Sequence, residues 1–295
     1  MRKFTLAVLV LTFIAANAMG QTQQSAPTLR VVTDDPNLPS DLFYGSVRVK
    51  PLRLRPGTNQ RITIDDGDFF VQQHYVDFLS RFPDAGGMNY WTNSITSCNG
   101  DAKCVDEARV SVSAAFFLSQ EFQESGYFIY RFYKGTLERM PSYAEFTPDR
   151  RQVVGGTNLE TSRANFANAF VQRAEFLQKF PASLAPEAFV NQLTDTIKAT
   201  TKGAVDLSAQ RAALLSTLQA SGRAAAVRQA IESKAFSDAE FNNAFVEMQY
   251  FGYLRRDPEP AGYAFWIDIL NNRVPNNYRS MVKAFVTAQE YKDRF

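Results

Sequence analysis

The chain has 295 residues, with 32 basic and 30 acidic side chains and a net charge of +2. These charges are spread without long runs of one sign. The balance argues against nucleic-acid binding, which needs clustered Lys and Arg, and against a polybasic membrane-binding patch. The aromatic residues, 25 Phe, 12 Tyr and 2 Trp, supply enough bulk for a large apolar core.

The N-terminus has the pattern of a signal peptide. Arg2 and Lys3 precede an apolar run, and Ala16-Asn17-Ala18 gives the small-x-small pattern of a cleavage site. We predict a signal peptide over residues 1–18 and a secreted or periplasmic protein. The apolar run is too short to span a membrane, so we predict no transmembrane anchor.

Residues 19–64 are rich in Pro, Ser, Thr and Gln and lack helical periodicity. Ser46–Leu54 alternates like a strand, but Pro51 interrupts it, which indicates an edge strand or no strand. We predict a linker with a short extended arm.

The rest of the chain contains an internal repeat. Phe70–Ile95 and Phe245–Leu270 align without a gap, 175 residues apart. A second copy starts at Phe128, and a degenerate copy starts at Phe189. Because residues that recur at matched positions hold a repeated unit together, we interpret them as structural.

These copies define the predicted fold class, which is all-α. We predict four tandem helical repeats, one degenerate, that form one compact bundle. Repeats one and two occupy residues 65–180, and repeats three and four occupy residues 181–295. We expect repeats one and two to pair, and likewise repeats three and four.

The first helix of the unit has a clear apolar face. Val71, Tyr75, Phe78 and Phe82 follow one another at spacings of four, three and four residues, so they share one side of a helix. Pro83 excludes helical geometry at the residue before it and should end the helix.

Charged residues recur at matched places in three copies. Three arginines occupy the first turn and three glutamates the closing helix, namely Arg81, Arg139 and Arg256 with Glu121, Glu175 and Glu290. We predict that each arginine forms a bidentate, largely buried ion pair with the glutamate of its own copy.

The same units share a proline in the turn and a tryptophan on the second helix. These are Pro83 with Pro258, and Trp91 with Trp266. The matched positions favour tryptophans that anchor the second helix to the core. The alternative is that their faces stack on sugar rings.

The two cysteines, Cys98 and Cys104, lie in a six-residue insertion found in the first copy alone. An even number of cysteines in an exported chain favours a structural disulfide. A redox-active pair is the alternative, but such pairs usually lie two residues apart at the start of a helix.

We predict no catalytic residue, no metal and no cofactor. His74 is the sole histidine, and no Gly-x-Ser-x-Gly motif is present. One histidine and a bridged cysteine pair cannot supply a zinc site. Two oxygen-rich strings, 65–68 and 99–101, could hold calcium, but the first lacks the distal glutamate of a calcium loop and suits helix capping.

The phrases RFPDAGGMNYW and RDPEPAGYAFW, followed by AFFLSQEF and AFVTAQEY, carry a resemblance. They resemble the bacterial helical domain of unknown function 4214, which is typical of exported and surface-layer proteins. The closing helices are also distantly similar to the linker domains of phycobilisomes. The first resemblance implies a helical fold and export, and the second implies a scaffold role.

From these features we expect a non-enzymatic interaction or scaffold module of the bacterial cell envelope. Its partner would be a protein or a surface glycan; the binding residues and the oligomeric state are not predicted. The alternative is a secreted polysaccharide hydrolase that uses paired carboxylates such as Asp77, Asp84 or Glu121.

Overall fold

A computed structural model describes residues 28–33, 38–50, 52–156 and 158–295. The predicted signal peptide at residues 1–18 and the predicted strand break at Pro51 lie outside these ranges. Within them the protein is all-α apart from a small sheet, as the sequence predicts. Every described helix falls short of the length and apolarity that crossing a bilayer requires.

The N-terminal arm contains a three-stranded antiparallel sheet. Its strands, in sheet order, are β1 Leu29–Val32, β2 Asp41–Tyr44 and β3 Val47–Arg48. Among the described residues of the alternating stretch 46–54, Val47 and Arg48 form β3. Arg55 joins the arm to the helical body through Asp66 and Asp68, at 2.8 Å from each carboxylate.

The first half of the body contains the first two repeats. Its helices are α1 Gly67–Leu79, α2 Ala85–Thr96, α3 Ala102–Leu118, α4 Gln120–Gln123, α5 Gly126–Leu137, α6 Tyr143–Gln152, α7 Leu159–Phe170 and α8 Ala174–Lys179. In the second copy α6 takes the place of the tryptophan helix. Both copies thus begin with two helices joined by a tight turn.

The second half contains the degenerate copy and the last copy. Its helices are α9 Pro186–Thr200, α10 Arg211–Ile231, α11 Lys234–Ala239, α12 Phe241–Gln249, α13 Pro260–Asp268, α14 Tyr278–Val286 and α15 Gln289–Lys292. Two π-helical segments, Tyr250–Leu254 and Ile269–Arg273, extend α12 and α13. Gly222 kinks α10, because its φ of 83° lies outside the helical region.

Helix α1 ends three residues before the predicted stop. Ser80 adopts a left-handed conformation with φ 51°, so the helix ends at Leu79. Val71, Tyr75 and Phe78 are buried as predicted, but Phe82 is 43% exposed. The prediction for Phe82 was wrong because the chain leaves the helix before its side chain can reach the core.

The left-handed turn recurs at matched positions of three copies. Ser80, Glu138 and Arg255 have φ values of 51°, 60° and 54°. The second helix then begins after Asp84, Ser142 or Glu259. These observations establish three equivalent turns, whereas the count of four copies stays a prediction.

The buried side chains form one continuous core from Ile64 to Tyr291. Across it, α14 packs against α3 and α5 against α9, so the first copy faces the last and the second faces the degenerate copy. This arrangement differs from the expected pairing. Its physical reason is that equivalent first helices meet: the rings of Phe78 and Tyr253, at matched positions, lie 5.2 Å apart.

Candidate functional site

The recurring arginine of the first copy binds its predicted partner. Arg81 Nε and Nη2 donate to the two carboxylate oxygens of Glu121 at 2.8 and 2.9 Å. The guanidinium also lies 4.9 Å above the ring of Tyr75. A side chain from the turn is thereby fixed between the first helix and the closing helix.

The other two copies repeat this geometry. Arg139 donates to Glu175 at 2.8 and 2.6 Å, and Arg256 donates to Glu290 at 2.6 and 3.2 Å. The rings beneath them belong to Tyr133 and Tyr250, at 5.1 and 5.3 Å. The pKa of Glu175 is lowered because Arg139 hydrogen-bonds to its charged form.

These ion pairs are more exposed than the sequence suggested. The side chain of Glu121 is 24% exposed, but those of Glu175 and Glu290 are 49% and 50% exposed. The expectation of largely buried carboxylates was wrong for the latter two. Exposed pairs contribute about 0–1 kcal/mol, so they fix geometry more than they stabilise the fold.

The tryptophans pack partly against the core. Trp91 lies 5.9 Å from Phe116, and Trp266 lies 6.0 Å from Phe285. These contacts agree with the anchoring role that the repeat favours. Pro83 and Pro258 occupy the extended stretch between the turn and the second helix. Proline suits such a stretch because it excludes helical geometry at the residue before it.

Cys98 and Cys104 form a disulfide that links the loop after α2 to the first turn of α3, with their Cα atoms 5.5 Å apart. Asn99 and Gly100 make the loop compact, since both adopt positive φ. Asp101 accepts a hydrogen bond from the Cys104 amide at 2.7 Å and caps α3. The disulfide therefore closes the loop covalently, and Asp101 caps the helix that follows it.

The acidic string before α1 is already neutralised by cations. Arg55 binds Asp66 and Asp68, while Arg109 binds Asp65 at 3.0 Å. Across the described residues, no group of three His, Cys, Asp or Glu side chains is placed to hold a metal ion.

His74 is buried, with 1% of its surface exposed. Its Nδ1 lies 2.8 Å from the carbonyl oxygen of Phe70, and its Nε2 lies 2.7 Å from Ser113 Oγ. Burial lowers the pKa of His74 to about 3, so the ring is neutral. This histidine is a hydrogen-bonded part of the core.

A small cavity beside α6, of about 350 Å³, contains three carboxylates. Arg139 binds Glu145 and Glu175, and Arg173 binds Asp149 at 2.6 Å. The hydrogen bonds from Arg139 lower the pKa of Glu145 to about 2. Glu145 and Glu175, whose pKa values are lowered, are therefore unsuited to donating a proton near neutral pH.

A larger concave surface lies between the arm and the helical body. We call this cleft the arm groove. It lies between residues 38–50 with Arg53 on one side and helices α1 and α6 on the other, and Phe251, Arg255, Arg294 and Phe295 complete it. Its volume is about 720 Å³. Seven basic side chains and two carboxylates line it: Arg48, Lys50, Arg53, Arg150, Arg151, Arg255 and Arg294, with Asp41 and Asp77.

The floor of the arm groove contains a buried ion cluster. Asp77 accepts hydrogen bonds from Arg255 at 2.8 Å and from Arg294 at 2.8 and 2.9 Å. Burial opposes ionisation of Asp77, but the two arginines outweigh it and lower its pKa. The other copies have Gly135, Thr196 and Gly252 at this position, so the cluster belongs to the first copy alone.

Four other cations of the arm groove have no carboxylate partner among the described residues: Lys50, Arg53, Arg150 and Arg151. Arg150 is 2% exposed and donates to the carbonyl oxygens of Phe78 and Val153. Burial lowers its pKa to about 10. The arm groove therefore carries excess positive charge.

Sequence reasoning missed the arm groove because its cations come from separate segments. The arm contributes Arg48 to Arg53, α6 contributes Arg150 and Arg151, and the end of the chain contributes Arg294. The one available signal was that Asp77 departs from the other copies. Of the acids predicted for a hydrolase, Asp77 is ion-paired, Asp84 caps α2 and Glu121 binds Arg81.

The fold defines an all-α protein with recurring helical units and a basic cleft under an N-terminal arm. Residues 228–295 match the model of the family described as Domain of unknown function (DUF4214), so this C-terminal segment is similar to that family. It contains the last copy of the turn, with Arg256, Trp266 and Glu290. No curated protein and no solved structure matches the chain. The similarity to phycobilisome linker domains stays a prediction.

Proposed function

We propose that the protein is an exported, non-enzymatic interaction module of the bacterial cell envelope, and that the arm groove is its binding surface. The observation that carries this proposal is the charge of the arm groove. Seven basic side chains face two carboxylates there, although the whole chain has a net charge of only +2. Such a field attracts an anionic partner, either a protein or a surface glycan.

The proposal of export is supported by two features. The N-terminal pattern is that of a signal peptide. The disulfide between Cys98 and Cys104 is of the kind that persists in oxidising compartments.

The state of the acids supports binding over hydrolysis. A glycoside hydrolase needs one carboxylic acid that keeps its proton near neutral pH and a second carboxylate across the sugar. The cavity beside α6 offers acids already paired with arginine. Glu247, whose pKa burial raises well above its usual value, is fully enclosed and offers a substrate no access.

The test is retention of cell-envelope components by the immobilised protein. We expect the wild type and the control Lys103→Glu/Lys202→Glu to retain the same component. The variant Lys50→Glu/Arg151→Glu should lose it, because it reverses two of the positive charges that line the arm groove. The control reverses the same number of positive charges elsewhere on the surface. Equal retention by all three, or no retention by the wild type, would contradict the proposal.

A further inference from the structure

The arm groove brings together positively charged side chains that repel one another. Arg53 lies 4.7 Å above the ring of Phe69, and both burial and the neighbouring charge of Arg48 lower its pKa. Lys50 and Arg151 line the same space. An anion bound between these side chains would relieve their repulsion, so the site is suited to negative charge.

The shape of the cationic groups selects among anions. Arg53 and Arg151 present planar guanidinium forks, which match the two oxygens of a carboxylate in a bidentate geometry. The volume of about 720 Å³ is in the range of about 300–1,000 Å³ that is usual for ligand sites. A short oligomer fits this space better than a single small ion.

The walls of the arm groove are not purely ionic. The amides of Gln72 and Gln73 line it, and the partly exposed rings of Tyr143 and Phe295 stand at its sides. Amide groups both donate and accept hydrogen bonds, which suits hydroxyl groups. Aromatic rings offer apolar faces to the C–H surfaces of sugar rings.

We infer that the arm groove binds an acidic glycan, whose sugar rings carry carboxylates. Arg53, Arg151 and Lys50 bind the carboxylates, Gln72 binds hydroxyl groups, and Tyr143 packs against a ring. This assignment rests on the proposed function and narrows it to one class of partner. An acidic peptide would use the cations but would need neither the amides nor the aromatic faces.

Calorimetry with purified oligomers tests this assignment in the full chain. The probes are oligogalacturonate and oligomannuronate, with maltopentaose as the neutral sugar and pentaglutamate as the acidic peptide. We expect a uronate oligomer to bind, maltopentaose not to bind, and pentaglutamate to bind about tenfold more weakly, a difference of about 1.4 kcal/mol. Binding should weaken in 0.5 M salt, at which charges on the surface are screened over only a few ångströms, about 3–5 Å.

Matched variants locate the binding in the arm groove. Lys50→Glu/Arg151→Glu should weaken uronate binding at least about tenfold, whereas Lys103→Glu/Lys202→Glu should leave it within about twofold. Near-UV circular dichroism checks that each variant is folded. Failure of both uronates to bind, or tighter binding of pentaglutamate, would overturn the glycan assignment. The proposed function would survive that result if the arm groove still retained an envelope component, so the two failures are distinguishable.

Discussion

At the scale of single residues, one glycine allows the first and last copies to meet. Gly252 lies against the ring of Phe78, and a Cβ added there would overlap that ring. Phe78 is buried between Phe117 and Tyr253, with ring centroids at 4.4 and 5.2 Å. The missing side chain at Gly252 therefore sets how closely two helices approach.

We predict that Gly252→Ala lowers the free energy of unfolding by about 1–3 kcal/mol, because the core there is already filled. Gly86→Ala is the control: the nearest atom to its added Cβ is Asp84 Oδ1 at 3.3 Å, and α2 should gain up to about 1 kcal/mol from alanine. Urea unfolding measures both. Equal effects of the two substitutions would show that Phe78 and Gly252 are not tightly packed.

A buried acid should make stability depend on pH. The pKa of Glu247 is raised well above 4.5, mainly by burial and further by Asp257 and Glu240, while Lys134 opposes the change. The folded protein thus keeps this proton when the unfolded chain has lost it. The contribution of Glu247 is fully present below pH 4.5 and is lost as the pH rises from there toward the folded-state pKa.

The variant Glu247→Gln removes this titration. At pH 7 we expect it to raise the free energy of unfolding by about 1 kcal/mol or more, with little change at pH 4, since one pKa unit corresponds to about 1.4 kcal/mol. The exposed Glu187→Gln should change neither value. A variant less stable than the wild type at pH 7 would contradict the prediction. Denaturant unfolding at the two pH values gives the answer.

At the scale of elements, the turn between the first and second helices was largely predictable. The recurrence of Arg81 and Glu121 identified two side chains that meet although 40 residues separate them. Helix bounds were less predictable, because the left-handed residue Ser80 carries no glycine or proline signal. That is why the exposure of Phe82 could not be read from the sequence.

The disulfide clips an insertion and not the repeated unit. Reduction, or Cys98→Ala/Cys104→Ala, should lower the free energy of unfolding by about 2–3 kcal/mol, since the bond closes a short loop in the unfolded chain. The far-UV circular dichroism should be nearly unchanged, because the bond encloses only the loop after α2 and the first three residues of α3. Loss of the helical signal on reduction would show that the bond holds more than the loop.

At the scale of the whole molecule, the described chain folds back so that its first and last copies meet. Phe117 of the first copy lies 5.9 Å from Phe245 of the last, and α14 covers α3. The sequence predicted recurring helical units and a single core, but the pairing of copies expected from it was wrong. Equivalent copies have similar apolar faces, so several pairings are compatible with the same apolar pattern. The arm groove exists only in one of these pairings and therefore could not be predicted from the sequence.

This arrangement predicts that the two halves depend on each other. Residues 65–180 and 181–295, expressed separately, should each lack a cooperative thermal transition, because each exposes the apolar face that the other covers. Co-expression should restore a 1:1 complex with cooperative unfolding. Gel filtration and circular dichroism provide the measurement. A half that unfolds cooperatively by itself would indicate two independent domains.

Hydrogen–deuterium exchange tests most directly whether the arm groove is the binding surface. The full chain is compared with and without oligogalacturonate. We predict slower exchange in residues 38–50 and 52–55 and in α6, with no change at α9 and α10, which do not line the arm groove. Protection confined to α2 and α13, where Tyr90 and Phe265 are exposed, would contradict it, and so would the absence of any protection.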